Sequence, residues 1–322
     1  MRFLFLIIKF FIIKMQLDSS NNELTYFNNY INSLIENIES NKFNQTYNLL
    51  LDGGAFNGGY MFGSLIFIKQ LENKNLIKIN KISGTSIGSI LGLAYLTNNL
   101  NKLIVIFNNI LLNYKINHNF SNLKSEIKKF INEITIDFNK INNKLFITYY
   151  DSENINQVVI SKFKNKEELI DILLRSSHIP FLIDGNAFYN EQYFDGITPY
   201  LLKDNNKTLS INIGSPNICK DILFTKNEKN VWTRLMCGVN ETNNFFSNKK
   251  TFLITEIDKW TIFDYFYFRW RDIIFIILIF ILKNYEYILK YLPNSIKNNL
   301  YLIHFKNQII KIIKEIFYLF II

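Results

Sequence analysis

Apolar residues change their period several times along the chain, and each change marks an element. Tyr47 to Leu51 is a short β-prone run, and after the glycines that follow it the apolar positions of YMFGSLIFIKQLEN fall at helical spacing, which predicts strand, glycine turn and helix. The order returns in LIKINKISGTSIGSILGLAYLTNN: a short apolar strand ends at Ile82, a turn runs from Gly84 to Gly88, and small and apolar residues continue as a helix. Further on, RSSHIPF reads as a helix exit before a proline, and NAFYNEQYFDGITPYLL as a short aromatic strand running into Asp195 and Gly196. Asn-rich patches at 97–101, 204–206 and 243–248 read as loops. No fixed-period repeat and no proline-rich linker divides the chain.

Both ends are apolar in a different way. MRFLFLIIKFFIIK is interrupted by Lys9, lacks a small-residue cleavage site, and falls short of the roughly 20 residues of a spanning helix, so it reads as a poorly formed signal or short anchor. Met15 is an alternative start, because MQLDSSNNELTYFNNYINSLIENI is an ordinary polar lead-in to a helix. Ile273 to Leu282 is a run of ten apolar residues between Asp272 and Lys283, a length that suits a buried or interfacial helix better than a membrane span. The tail NQIIKIIKEIFYLFII spaces its lysines as an amphipathic helix does, with a face for the core or for lipid.

Composition adds bounds. At 322 residues, 48% hydrophobic and 20% charged, the chain is long and apolar enough for one large α/β domain with appendages or two smaller units, and it is not a disordered protein. The excess of 36 Lys and Arg over 27 Asp and Glu gives +9, which suits a phospholipid surface or a nucleic acid. Plentiful Lys, Asn, Ile, Phe and Tyr are also what AT-rich coding produces, and no DNA- or RNA-binding motif is present. Two cysteines, Cys219 and Cys237, make neither a disulfide scaffold nor a zinc site, so a reducing, intracellular setting is expected.

Glycine usage is where chemistry enters. Gly53, Gly54, Gly58, Gly59, Gly63, Gly84, Gly88 and Gly92 are eight of the chain's twelve glycines. A glycine turn between strand and helix aims backbone N–H groups into a concavity at the positive end of a helix dipole, a site for phosphate or for an oxyanion. The dinucleotide fingerprint fails, because Ala55 stands where its second glycine should be, and the Walker loop fails, because GGYM stands where GKS or GKT should. GTSIG, Gly84 to Gly88, decides between the two: GxSxG between strand and helix is a nucleophile elbow that lifts Ser86 Oγ above the sheet. Gly59 with Gly63, and Gly88 with Gly92, lie four apart and are expected to let helices and sheet approach closely near the site.

A serine nucleophile needs a base. His118 lies in a polar stretch and reads as a solvated loop residue; His178 sits at the helix exit with no motif of its own; His304 follows Ser86 and Asp195 in hydrolase order but lies in a continuous helical pattern. Asp195 is better placed, at a strand end before a glycine turn, although the same pair also reads as an ordinary Asp-Gly turn.

The GG turn, the GTSIG elbow and the DG motif, in this order and spacing, resemble the patatin-like phospholipase family, and LLRSSHIPFLI resembles that family's serine-rich stretch before the aspartate strand. The similarity covers approximately Asn48 to Leu202. It implies a three-layer α/β/α sandwich with a mainly parallel central sheet, here with a helical C-terminal extension, and lipid acyl hydrolysis without metal or cofactor. Carried over, Ser86 is the nucleophile, Asp195 the dyad aspartate with Gly196 completing the DG motif, and the amides around Gly53, Gly54 and Ala55 are the oxyanion loop. Gly84 and Gly88 flank the elbow. The division this implies is 1–46 as an apolar segment and helix, 47–203 as the catalytic core, and 204–322 as the end of the core with a helical region suited to a membrane surface.

Three positions depart from the family pattern. Ala55 replaces a third glycine and would be strained by a left-handed conformation, Asn57 replaces a basic residue suited to lipid phosphate, and Ile197 replaces a small residue after DG. The expected function is a lipid acyl hydrolase, peripheral at a membrane, whose partner is lipid and not nucleic acid. The alternatives are a catalytically silent membrane-binding relative and a histidine-dependent α/β-hydrolase acting on esters.

Overall fold

The computed structural model describes residues 25–38 and 45–291 apart from 216, 217, 219, 220 and 227, together with single positions at 293, 304, 308 and 311. The N-terminal apolar segment, Cys219 and nearly all of the amphipathic tail lie outside the described residues.

Among the described residues seven strands make one sheet. They are β1 (Gln45–Leu51), β2 (Ile77–Thr85), β3 (Leu145–Asp151), β4 (Asn156–Ile160), β5 (Tyr193–Asp195), β6 (Lys207–Ile211) and β7 (Ile254–Glu256), in the order β4-β3-β2-β1-β6-β7 with β5 also on β3. The pairs β1/β2, β1/β6 and β2/β3 are parallel, while β4, β5 and β7 run antiparallel to their neighbours. β2 runs three residues beyond the strand end expected at Ile82, because its register on β3 continues through Gly84 to Thr85 opposite Thr148.

One register detail sets up the site. β4 occupies one edge of β3 from Ile147 to Asp151, so β5, which pairs with Tyr149 to Asp151, must use the other edge, the one on which β2 stops at Thr148. β5 therefore runs head-on into the end of β2.

Side chains alternate across a strand, and the two faces of the sheet are covered differently. Leu49 and Leu51 join Ile82, Ile147 and Leu209 in the main core, beneath α1 (25–36), α2 (Gly58–Asn73), α3 (Ile87–Leu96), α4 (Leu100–Asn117), α5 (Leu123–Glu133), α6 (Phe138–Ile141), α7 (Lys166–Ser176) and α8 (Trp232–Phe246). On the other face lies α9 (Ile262–Tyr291), whose Phe275, Ile279 and Leu282 pack with Tyr150, Phe188 and Phe194. Helices, sheet and α9 are the three layers of an α/β/α sandwich.

Two expectations change and a third is sharpened. Asn243 to Phe246 are helical, in α8, because Thr242 and Phe246 bury the inner face of that helix and carry the asparagines on its outer side. Gly59 and Gly63 serve α8 and not the site: a Cβ on Gly59 would come 2.8 Å from Arg234 Cβ, and one on Gly63 would strike the Leu235 carbonyl. The apolar run 273–282 belongs to a 30-residue helix that is neither wholly core nor wholly surface, since Ile279 is buried while Ile273, Ile277 and Ile281 are exposed. Among the described residues no helix is long and apolar enough to cross a membrane.

Candidate active site

The turn after β2 puts Ser86 at φ 50°, ψ −126°, as the N-cap of α3. Such a backbone is rare for a residue with a side chain and costs of order 1–3 kcal/mol, so its surroundings must hold it. They do so through Ser176, whose Oγ accepts from Ser86 N at 2.9 Å and donates to Thr148 O at 2.7 Å. The flanking glycines are packing necessities: a Cβ on Gly84 would lie 2.6 Å from Gly88 O, and one on Gly88 would lie 2.5 Å from Leu51 O.

Because β5 meets β2 end to end, Asp195 faces the serine. Ser86 Oγ donates to Asp195 Oδ2 at 3.2 Å. Gly196 is locked beside them, since Thr85 Oγ1 donates to its carbonyl and any Cβ there would strike Thr85 and Thr148 O. Asp195 is half-buried as a residue, yet its Oδ1 is shut off from solvent with no hydrogen-bond partner among the described residues. Burial therefore raises the carboxyl pKa well above the ordinary value, and the Ser86 and Gly196 hydrogen bonds only partly counter it.

The glycine loop closes the third side. A Cβ on Gly53 would sit 3.4 Å from Ser86 Cβ, 3.4 Å from Gly196 O and 3.3 Å from Ile197 O, so this backbone is wedged between serine and aspartate turn. The chain then enters a single 3-10 turn, Ala55–Asn57, leading into α2. Ala55 has φ +40°, the left-handed backbone that glycine would accept without strain. Among the described residues no acceptor is paired with the amides of Gly54 and Ala55. Phe56 N is already bound to Ile222 O at 3.2 Å.

Asn57 points away from this concavity. It is fully buried, its Nδ2 donates to Ile213 O at 3.0 Å and Ile218 O at 2.8 Å, and its Oδ1 accepts from Arg234 Nη1 at 2.7 Å. The amide that stands in place of a basic residue is a structural joint, and the guanidinium beside it comes from α8.

A cavity of about 50 Å³ opens at Ser86 between Ala55, Phe56, Ile90, Phe107 and Phe120. Its walls are apolar except for Ser86 and Ser177, whose buried Oγ has no partner among the described residues. No histidine hydrogen-bonds Ser86 or Asp195 among the described residues. His118 is exposed at the end of α4, His304 is exposed, and His178 is buried with Nε2 3.3 Å from Asn186 O, its pKa pushed down by burial.

Ser86, Asp195, Gly196, Gly53 and the elbow glycines thus come together from three separate stretches. Sequence reasoning marked the stretches that hold Thr85, inside GTSIG, and Ser176, inside LLRSSHIPFLI, but assigned neither side chain a part in the site.

Comparison with known families identifies the segment that carries these residues. Residues 49–208 match the family model described as patatin-like phospholipase. Residues 49–208 belong to the patatin-like phospholipase family. Its members are lipid acyl hydrolases, and a domain of this kind is that of a hydrolase acting on lipid esters. No curated protein matches the chain. The patatin-like segment starts in β1 and ends inside β6, so α8, β7 and α9 lie beyond it.

Proposed function

We propose that Ser86 and Asp195 form a catalytic dyad that hydrolyses acyl esters of phospholipids or related lipids. The supporting observation is the Ser86 Oγ to Asp195 Oδ2 hydrogen bond at 3.2 Å beside the unpaired loop amides. Asp195 Oδ2 takes the hydroxyl proton as Oγ attacks the ester carbonyl carbon, and the carbonyl oxygen becomes an oxyanion facing the Gly54 and Ala55 amides. Collapse of that intermediate breaks the bond to the alcohol, which leaves with the proton from Asp195. Water, deprotonated by the same carboxylate, then attacks the acyl-enzyme and frees the fatty acid and Ser86. A raised carboxyl pKa makes Asp195 a better base than an ordinary aspartate at neutral pH. The unpaired amides supply charge stabilisation, for which one donor is worth roughly 3 kcal/mol in a comparable site. The apolar cavity takes the start of the acyl chain.

The same reading places the enzyme at a lipid surface through α9, whose outer side exposes Phe263, Phe266, Trp270, Ile273, Ile277 and Phe280. A lipid panel run with wild type, Ser86→Ala and Asp195→Asn tests the proposal, together with fluorophosphonate labelling. Release of fatty acid by wild type alone, with labelling lost in Ser86→Ala, is expected. An unlabelled wild type would favour a catalytically silent membrane-binding relative.

A further inference from the structure

Two consecutive residues of α9 reach the two halves of the candidate site. Arg271 Nη1 lies 2.6 Å from Asp52 Oδ2, which also accepts from Gly214 N at 3.3 Å. Asp52 is buried and immediately precedes Gly53. One turn earlier Tyr267 donates its hydroxyl to Gly214 O at 2.9 Å, so the same helix holds Gly214 from both of its backbone groups, directly and through Asp52. Asp272 Oδ1 accepts from Thr198 Oγ1 and, at 3.0 Å, from the Tyr150 hydroxyl. Thr198 lies three residues after Asp195, and its carbonyl accepts from Thr148 Oγ1 at 3.1 Å and Gln157 Nε2 at 2.7 Å.

Neighbours on a helix diverge by about 100°, so a single position of α9 can address β1 with one side chain and the β3/β5 pair with the next. Stability is a poor explanation for the Arg271 and Asp52 pair. A buried ion pair is often no better than apolar residues of the same size, and here Asp52 Oδ1 and Arg271 Nε have no partner among the described residues. The pair instead lies where it can set the direction in which Asp52 hands the chain to Gly53 and Gly54, and Asp272 is placed likewise for the turn that follows Asp195.

We propose that Arg271 and Asp272 are positioning residues: Arg271 orients the glycine-loop amides through Asp52, and Asp272 orients the aspartate turn through Thr198. The proposal rests on the dyad reading. It places the control of site geometry in α9, outside residues 49–208.

The test compares four forms of the full chain: wild type, Asp52→Asn/Arg271→Met, which leaves no charge buried, Asp272→Asn, and Ile131→Ala, a core deletion in α5 away from both segments. Each is measured for kcat and KM on p-nitrophenyl butyrate below its melting temperature, and for hydrogen exchange of peptides covering 52–55 and 195–198. The double variant and Asp272→Asn are expected to lose 10- to 100-fold in kcat with KM within threefold. Exchange should rise at 52–55 in the former and at 195–198 in the latter. Ile131→Ala should lower the melting temperature and keep kcat within twofold. Unchanged kcat in the folded double variant, or kcat that simply tracks melting temperature in all three, overturns the proposal. If the wild type neither turns over nor labels, the hydrolase reading fails instead, and the exchange arm still decides: unchanged protection at 52–55 and 195–198 defeats the positioning role.

Discussion

Asp195 meets Ser86 because β5 fills the edge of β3 that β2 vacates after Thr85, so the acceptor at the end of one strand faces the donor at the end of the other at 3.2 Å. The relationship is written into the sheet register, not into a flexible loop, and its consequences are measurable.

Asp195→Asn should lower kcat by about 10²–10⁴-fold, the range for loss of a general base. It should also stabilise the protein at neutral pH. The folded carboxyl pKa is raised by burial, so the folded state holds this proton more tightly than the unfolded chain does. The group's contribution to stability is therefore fully present below the unfolded value of about 3.9 and is lost as pH rises through the folded pKa. Melting curves at pH 5 and pH 8 should show the variant gaining on wild type as pH increases; a constant difference would contradict this.

Activity should follow the same titration in the opposite sense. Protonated Asp195 cannot take the hydroxyl proton of Ser86, so kcat/KM falls as pH drops through the raised pKa. A one-proton acid limb well above about 4 is expected, and Asp195→Glu should move it. A limb near the ordinary carboxylate value would remove Asp195 as the base.

Ala55→Gly should stabilise. A left-handed alanine costs roughly 1–2 kcal/mol, and the extra freedom of an unfolded glycine takes back about 0.5–1 kcal/mol, leaving a net gain below about 1.5 kcal/mol. Denaturant midpoints check this, with activity retained within a fewfold because the amide stays.

Ser176→Ala should do the reverse. It leaves Ser86 N and Thr148 O without their shared partner in a buried setting, at a cost of about 1–3 kcal/mol each at most. Slower fluorophosphonate labelling together with a lower melting temperature is the expected pair of results; normal labelling would show that the elbow holds itself.

Ile273→Asp combined with Ile277→Asp, both on the exposed side of α9, should weaken sedimentation with anionic vesicles at least about tenfold, equivalent to about 1.4 kcal/mol. Turnover of a soluble ester should remain within twofold. Equal loss on both assays would mean that the face supports the fold and not lipid contact.

Much of the architecture was legible. GTSIG and the DG turn announce their strand ends because glycine is obligatory where a Cβ would strike backbone, as at Gly88 and Gly196. Side chains on ordinary helices carry no such mark: Ser176 and Arg271 look like any helical serine or arginine until tertiary structure brings them to Ser86 and Asp52. The packing partner of α9 was equally hidden, since an apolar helix period reports that a face is buried without saying against what. Asn57 misled for the opposite reason, because only coordinates reveal that its amide is spent on Ile213, Ile218 and Arg234.

The unequal covering of the sheet bears on how the protein can be handled. A fragment cut at residue 208 would strip α9 from Phe194 and Tyr150, and would leave β1 beside a β6 reduced to its first two residues. A bare apolar face and an unprotected strand edge together are a recipe for aggregation. Any C-terminal shortening of this chain therefore has to keep α9 at least as far as Leu282, which packs on the Tyr150 and Phe194 cluster.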